Sequence, residues 1–412
     1  AIQALREYLR IRTDHPKPDY ARAVRWIVDY CKSVPGARVG AYPFVPNKPV
    51  VLCSFFGTAK DLPSIMVNSH YDVVPPGNLS AWSVSSPFQA DLNEEQNRIY
   101  ARGIQDMKSV GIQYIEAIKA MVSSRKTLKR SLHVIWVPDE EIGGLDGMGK
   151  FVESKLFEAL NIGVQLDEGL ASPGEEFEMC YGERRPFWTV IDVKDLPGHG
   201  ATLPSSSATL TLTSILAKVA AFRAEQAVKL ASGGILLGDI LSVNIVHLQA
   251  GVHNANNVIP PTAKAILDIR VPPTVTTKDV DELIESWIRC ENGGRCPGVS
   301  VSFNHRAEVS KVTSMDEKEN PWAGVFRKAT KNIKIHPMIF PASTDARFLR
   351  NLGIPCFGFS PMNGTTVLLH KDDEYLDVDV FLRGIRIYED ILFTMANEPL
   401  LPGEVVAKGQ ED

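Results

Sequence analysis

The stretch LHVIWVPDEEIGG, residues 132–144, places three carboxylates directly after an apolar run. The apolar part predicts a buried strand over residues 132–137. Three like charges in a row are usually a solvated turn. Here they follow a strand, and the strand ends of a parallel sheet are where functional side chains gather. The acidic triplet is therefore either a simple solvated turn or a candidate functional site.

Apolar runs and amphipathic segments alternate on both sides of this stretch. Residues 64–68 and 163–166 predict further buried strands, and residues 21–34, 110–121 and 380–395 predict helices. This alternation indicates an α/β domain with a mostly parallel sheet.

The pattern changes between residues 184 and 302. Strands are predicted at 188–193, 241–246 and 264–271, and helices at 209–230 and 277–288. We therefore expect an inserted α+β domain at 184–302 between two parts of a catalytic domain, residues 1–183 and 303–412.

Composition narrows the possible functions. The chain has 412 residues, 44% of them hydrophobic and 23% charged, which is typical of a soluble protein with a large core. The net charge of -5 is small and the basic residues are dispersed, so neither nucleic acid nor a membrane surface is an expected partner. No apolar window predicts a membrane span, and no signal peptide is visible, although Ala1 leaves a processed start open.

The six cysteines are scattered and form no Cys-x-x-Cys pair. This argues against a structural zinc site and predicts a reducing, cytoplasmic location. Cys290 and Cys296 could form a local disulfide in a secreted protein, and Asn78 and Asn363 begin possible glycosylation sequons. Secretion after removal of an N-terminal signal is therefore the alternative.

Metal-capable side chains follow several predicted strands. They are His70, Asp72, Asp106, Glu140, Glu141, Asp167 and Glu168, with a distant His370. One such histidine is usually a hydrogen-bonded core residue, but several imidazole and carboxylate sites at the strand ends of one domain favour a metal centre. Mixed ligands without thiolates suit catalytic zinc, with cobalt or manganese as substitutes.

Two metals bridged by one carboxylate would polarise a carbonyl and lower the pKa of a shared water. One member of the Glu140 and Glu141 pair could then bind metal while the other takes the proton of the water. This accounts for the acidic triplet after the strand.

Six motifs, in this order, carry a resemblance to a known family. They are SHYDVVP (69–75), ARGIQDMK (101–108), VPDEEIGG (137–144), LDEG (166–169), PGHG (197–200) and LLH (368–370). The set resembles the two-zinc amidohydrolases that include aminoacylases, carboxypeptidase G and acetylornithine deacetylase, over nearly the whole chain. PWAGVF (321–326) and GFSPMN (358–363) are most similar to the aminoacylases. The resemblance implies a zinc-peptidase-like catalytic domain, an inserted lid and dimerisation domain, and a homodimer.

The resemblance also implies a role for each site residue. The zinc ligands would be His70, Asp106, Glu141, Asp167 and His370, with Asp106 as the bridge. His70 and Asp167 would hold one zinc, and Glu141 and His370 the other. Asp72 would orient the imidazole of His70, and Glu140 would be the general base that carries the proton of the water to the leaving amine.

Residues of the inserted domain would complete the site. His199, which could otherwise be a surface histidine in a glycine turn, would reach the partner subunit's site and stabilise the tetrahedral oxyanion. Asn257, Arg270 and Arg347 fall where the family grips the substrate carboxylate, a task that suits a guanidinium fork. The segment 251–257 is longer than expected, so Asn256 competes with Asn257, and the departure of residues 201–209 from the aminoacylase pattern leaves acyl preference open.

We therefore predict zinc-dependent hydrolysis of N-acyl-L-amino acids, small-molecule substrates that yield a carboxylate and a free L-amino acid. A dipeptidase or carboxypeptidase of the same family is the nearest alternative. A catalytically inactive binding protein on this fold is an alternative of another class. It is disfavoured because Glu140 and all five predicted ligand positions are present.

Overall fold

The computed structural model describes residues 1–291 and 293–404. The strands are β1 (Arg38–Val45), β2 (Lys48–Phe55), β3 (Ser64–His70), β4 (Asp91–Asn93), β5 (Arg98–Tyr100), β6 (Leu132–Val137), β7 (Ile162–Asp167), β8 (Phe177–Glu183), β9 (Arg185–Lys194), β10 (Gly198–His199), β11 (Ser242–Ala250), β12 (Val258–Ile259), β13 (Thr262–Val271), β14 (Val299–Arg306), β15 (Ile335–Phe340), β16 (Cys356–Phe359) and β17 (Tyr375–Asp377). The helices are α1 (Ile2–Leu9), α2 (Tyr20–Lys32), α3 (Ser109–Ser123), α4 (Lys150–Val152), α5 (Lys155–Ala159), α6 (Ala208–Ala231), α7 (Thr277–Trp287), α8 (Pro321–Ala329), α9 (Ala346–Asn351) and α10 (Val378–Ala396). Among these helices, none combines the length and apolar character that crossing a membrane requires.

The chain divides into two compact units. Of the described residues, the first contains Ala1–Tyr181, Val312–Met338 and residues 344–404, and the second contains Gly182–Lys311 and Ile339–Ser343. The predicted end of the inserted domain at residue 302 is too early, because β14 continues to Arg306 in its pairing with β9. Residues 339–343, which the prediction left in the catalytic domain, also belong to the second unit.

An eight-stranded sheet in the order β1-β2-β6-β3-β7-β16-β8-β15 organises the catalytic part. Its four central strands, β6, β3, β7 and β16, are mutually parallel. The strands predicted at 64–68, 132–137 and 163–166 are β3, β6 and β7. Every side chain of β3 and β6 is buried, as continuous apolar runs in a sheet covered on both faces require.

Amphipathic helices supply that cover. In α2 the side chain of Asp19 caps the first turn by accepting a hydrogen bond from the Arg22 amide, and the helix buries Ala23 and Ile27. α3 and α10 pack against each other, and both contribute to the same apolar core as β3. Burying one large aliphatic side chain such as Ile27 stabilises the fold by roughly 1.5–3 kcal/mol.

The register of the central strands sets the position of the site. His70 pairs with Val137 across β3 and β6, and Val67 pairs with Leu166 across β3 and β7. Because these strands are parallel, the residues that follow them emerge together at one edge of the sheet. The three segments that carry most candidate ligands therefore meet there.

The second unit has its own sheet and core. Its antiparallel strands run in the order β11-β13-β9-β14, and α6 and α7 contribute to one cluster of buried apolar side chains with them. The predicted strands and helices of this region are all present. Cys290 and Cys296, just beyond α7, form a disulfide with their Cα atoms 5.0 Å apart.

Candidate two-metal active site

His70 is the first fixed point of the site. Its side chain is fully buried at the end of β3, and its Nδ1 donates a hydrogen bond to the backbone carbonyl of Asp72 at 2.9 Å. This bond leaves Nε2 for the interior of the site, where it lies 3.0 Å from Oδ1 of Asp106. The carboxylate of Asp72 is 3.6 Å from Nδ1, so the carbonyl makes the closer contact that orients the ring.

His370 contacts the other carboxylate oxygen of Asp106. Its Nε2 lies 3.1 Å from Oδ2 of Asp106 and 3.0 Å from Oε2 of Glu141. Asp106 thus offers one carboxylate oxygen to each imidazole, which is the arrangement that a bridging ligand requires. His370 lies on the solvent-facing side of the cluster, since 55% of its side chain is exposed.

The geometry corrects the prediction for Asp167. Its carboxylate accepts hydrogen bonds from Asn68 and Gln165 inside the sheet, at 3.1 Å each. Glu168, one residue further along, has Oε2 at 3.6 Å from Nε2 of His70. Among the described residues, the groups with metal-binding spacing contain Glu168 and not Asp167. The last residue of β7 faces neighbouring strands, whereas the first residue after it faces the site.

Asp72 holds the turn that presents Glu140 and Glu141. The backbone amides of these two residues donate to the Asp72 carboxylate at 3.2 and 3.1 Å. Asp139 adopts a left-handed conformation with φ 64°, and the turn closes at Gly144, where φ is 62°. A Cβ atom at Gly144 would lie 2.3 Å from Oδ1 of Asp345, so only glycine fits both the conformation and the space.

The buried, closely spaced charges of the cluster shift the pKa values of its members. Burial raises the pKa values of Glu140 and Glu168 well above the usual range, and neighbouring carboxylates raise them further. The pKa of Asp106 is lowered because its hydrogen bonds to His370 and His70 outweigh the effect of burial. Contacts with Asp106 and Glu141 raise the pKa of His370 to about 10.

These groups fit divalent metal ions. Donor atoms of His70, Asp106 and Glu141, and those of His70, Glu140 and Glu168, lie within 4.8 Å of one another in each set. A cation at this position would relieve the repulsion among buried carboxylates and would select the neutral, metal-binding form of the imidazoles. The donors are oxygen and imidazole nitrogen, the set found in catalytic zinc, cobalt and manganese sites.

Two residues that the sequence did not reveal hold the loops around Asp106 and His370. The buried carboxylate of Glu374 accepts hydrogen bonds from Arg102 and from the amides of Gly103 and Gln105, at 2.7–2.9 Å. The Gln105 side chain accepts a bond from the amide of Leu368 at 3.0 Å. Glu374 lies in an acidic run that resembles a solvated turn, so no local pattern indicates its role.

Arg347 lies beside residues 139–144, the catalytic turn, which carries Glu140 and Glu141. Its Nη2 donates to the backbone carbonyl of Gly143 at 2.8 Å. The neighbouring Asp345 is fully buried, and burial raises the pKa of its carboxyl group well above the usual range. The structure therefore brings the predicted substrate-binding Arg347 to the same edge of the sheet as Glu140.

Within the second unit, His199 and Asn257 are neighbours. His199 pairs with Val258 between β10 and β12, and the amide of Gly200 donates to the Asn257 carbonyl at 2.6 Å. Nδ1 of the exposed His199 accepts a bond from the amide of Ala201 at 3.1 Å, which leaves Nε2 as a donor. Arg270 makes two hydrogen bonds to Asp268 on β13, at 2.8 and 3.0 Å.

An imidazole and carboxylate cluster at the carboxyl edge of a largely parallel sheet, with a further glutamate beside it, is the arrangement of a metal-dependent hydrolase. Residues 66–394 match the model of peptidase family M20/M25/M40, and the chain belongs to that family.

Relatives and solved structures agree with this assignment. Aminoacylase-1 of Mus musculus is 39% identical over 98% of this chain and 97% of its own length. The M20 family metallo-carboxypeptidase Sso-CP2 of Sulfolobus solfataricus has the same fold, with a TM-score of 0.72 and 17% identity over 96% of this chain and 98% of its own. The YXEP protein of Bacillus subtilis, a dinuclear metal binding peptidase of family M20, matches with a TM-score of 0.64 and 14% identity over 96% and 97%.

Proposed function

We propose that the protein is a zinc-dependent amidohydrolase that cleaves N-acyl-L-amino acids into a carboxylate and a free L-amino acid. The observation that carries the proposal is the buried cluster in which Asp106 faces both His70 and His370, with Glu140 beside it. The choice of substrate is supported by the similarity to aminoacylase-1 over nearly the whole length of both chains.

Five residues would hold the metal ions. His70 and Glu168 would bind one zinc, Glu141 and His370 the other, and Asp106 would bridge them. When bound, the ions would polarise the substrate carbonyl and lower the pKa of a shared water. The oxygen and nitrogen donors also suit cobalt or manganese as substitutes.

The residues of the chain would handle the proton and the developing charge. Glu140 would accept a proton from the attacking water and deliver it to the leaving amine as the C–N bond breaks. Asp72 would keep Glu140 in place because its carboxylate accepts a hydrogen bond from the Glu140 backbone amide at 3.2 Å. Arg347, Arg270 and Asn257 would bind the substrate carboxylate, with Asn256 as the alternative to Asn257.

The proposed assembly is a homodimer in which His199 of the partner subunit donates a hydrogen bond to the oxyanion. The free Nε2 of His199 supports this role, because its Nδ1 already accepts a backbone bond. The predicted cytoplasmic location stands as a proposal. The Cys290–Cys296 disulfide supports the secreted alternative, since cytosolic thiols are normally kept reduced.

A substrate panel tests the proposal. Purified protein loaded with zinc should hydrolyse N-acetylmethionine, and the Glu140→Gln variant with equal zinc content should not. Turnover of dipeptides in place of N-acyl amino acids would favour the dipeptidase alternative. Zinc binding without turnover of either class would favour a binding protein.

A further inference from the structure

The segment Thr13–Tyr20, which leads into α2 and includes its first residue, runs beside two loops of the active site. The amide of Val73 donates to the carbonyl of Thr13 at 3.1 Å, and the amide of His15 donates to the carbonyl of Val73 at 3.3 Å. This short parallel contact attaches the segment to the loop that follows His70 in the chain.

Two side chains of the segment reach acidic residues next to the catalytic turn. Nε2 of His15 lies 2.9 Å from Oδ2 of Asp72. The hydroxyl of Tyr20 donates to Oδ1 of Asp139 at 2.6 Å. Tyr20 is itself held in place, since its ring packs edge-on against Tyr71 with centroids 4.8 Å apart. The segment thus contacts Asp72, which accepts a hydrogen bond from the Glu140 amide, and Asp139, which directly precedes Glu140 in the chain.

Asp72 connects His15 to the turn that carries Glu140 and Glu141. Its carboxylate is completely buried, and besides His15 it accepts the amides of Glu140 and Glu141. A buried carboxylate needs its hydrogen-bond donors, because an unsatisfied buried charge is unfavourable. Without His15, Oδ2 of Asp72 would keep the Glu141 amide alone, and the carboxylate could rotate away from the turn.

A metal ion is the competing interpretation, because donors of His15, Asp72 and Asp139 lie within 4.8 Å of one another. The contacts argue against it. Both oxygens of Asp72 already accept amide hydrogen bonds. Asp139 is engaged by Tyr20 and by Lys48, whose Nζ is 2.5 Å from Oδ2. The carboxylate oxygens of Asp72 and Asp139 that a metal ion would need are therefore already engaged by protein groups that hold the turn.

We propose that His15 and Tyr20 are positioning residues for the general base Glu140 and for the metal ligand Glu141. His15 acts through Asp72, and Tyr20 acts through Asp139, the residue directly before Glu140. The inference rests on the proposed function for its kinetic consequence, whereas its consequence for the shape of the turn is independent of the substrate.

The test compares substitutions that remove or keep the hydrogen bond. His15→Leu removes the donor, and His15→Gln keeps an amide donor of similar reach. Outer-shell partners of metal ligands typically contribute about 10–100-fold in activity or metal affinity. We expect His15→Leu to lower kcat by about tenfold with little change in KM, to weaken zinc binding in chelator competition, and to be largely rescued in His15→Gln.

The chain offers matched controls for both contacts. His336 pairs with Glu178 at 2.9 Å, and the hydroxyl of Tyr30 donates to Glu116 at 2.5 Å. Neither contact adjoins the catalytic turn. His336→Leu and Tyr30→Phe should therefore leave kcat and zinc affinity unchanged, while Tyr20→Phe should lower kcat by several-fold.

Hydrogen exchange of residues 139–144 provides a readout that does not depend on turnover. Exchange in the metal-free protein should be faster in His15→Leu and Tyr20→Phe than in the parent, and unchanged in the two controls. If His15→Leu fails to fold, Tyr20→Phe carries the same test. Parent-like exchange, zinc affinity and kcat in the folded variants would overturn the inference. If the parent lacks amidohydrolase activity but the exchange differences appear, the proposed function fails and the positioning role stands.

Discussion

Two buried histidines on neighbouring strands show how the two ends of the sheet differ. His70 ends β3 among carboxylates, while His133 lies near the start of β6, in register with Met66, with the Ser54 hydroxyl 2.8 Å from its Nδ1. Burial lowers the pKa of His133 to about 4. Burial also acts to lower the pKa of His70, but the hydrogen bond to Asp106 and the nearby carboxylates of Asp72 and Glu168 raise it well above the usual range.

The comparison shows that burial alone does not make a histidine functional. At the amino end of the strands an imidazole is neutral and structural. At the carboxyl end the surrounding carboxylates make the imidazole part of a charged cluster that fits metal ions. The difference predicts that substitutions at the carboxyl end affect chemistry and metal content, whereas substitutions at the amino end affect stability.

The largest expected effect is that of Glu140→Gln. The variant should keep its zinc, because Glu141 and not Glu140 supplies the proposed metal bond, but turnover should fall by about three orders of magnitude or more since the general base is lost. Elemental analysis and single-substrate kinetics on the same preparation check both parts. Near-normal turnover in a zinc-loaded sample would remove Glu140 from its role.

His199→Ala should lower turnover by about a hundredfold to a thousandfold without loss of zinc, because it removes the proposed oxyanion donor. Mixing His199→Ala with Glu140→Gln under conditions of subunit exchange sharpens the test. A mixed dimer would contain one site with both groups intact, so part of the activity should return. A mixture that has demonstrably exchanged and stays inactive would contradict action across the dimer.

Glu168→Ala and Asp167→Asn separate two adjacent carboxylates. Glu168→Ala should weaken one zinc site by more than the roughly 10–100-fold that loss of an outer-shell partner causes, because it removes a proposed direct ligand. Asp167→Asn should keep both metals, because its contacts are with Asn68 and Gln165 inside the sheet. Chelator titration of the two variants checks the assignment, and the reverse pattern of loss would restore Asp167 as the ligand.

The smallest effect is expected at the amino end of the strands. The pKa of His133 is lowered from 6.5 to about 4 on folding. Between these two pH values the His133 side chain is therefore protonated in the unfolded chain and neutral in the folded chain. The resulting stability is present above pH 6.5 and is lost as the pH falls toward 4, by about 1.4 kcal/mol per unit. Urea unfolding of the parent and His133→Gln at pH 7 and pH 5 should show a smaller pH difference in the variant. Equal differences would refute this account of His133.

The sequence predicted this fold and much of the site because both depend on local patterns. Apolar runs marked β3, β6 and β7, and polar residues directly after them marked the edge where His70 and Glu140 lie. The resemblance pointed to Asp167 and not to Glu168, since the two carboxylates are adjacent in the LDEG motif and only the folded chain shows which of them approaches His70. Contacts such as His15 with Asp72, 57 residues apart, and Glu374 with the Gly103 amide, 271 residues apart, leave no local pattern and require the folded chain.

The zinc content of the purified protein tests the central claim most directly. Elemental analysis after removal of loosely bound metal should give two zinc ions per chain, and their extraction by a chelator should abolish hydrolysis until zinc is restored. A preparation that hydrolyses N-acyl amino acids with no bound metal would contradict the two-metal site.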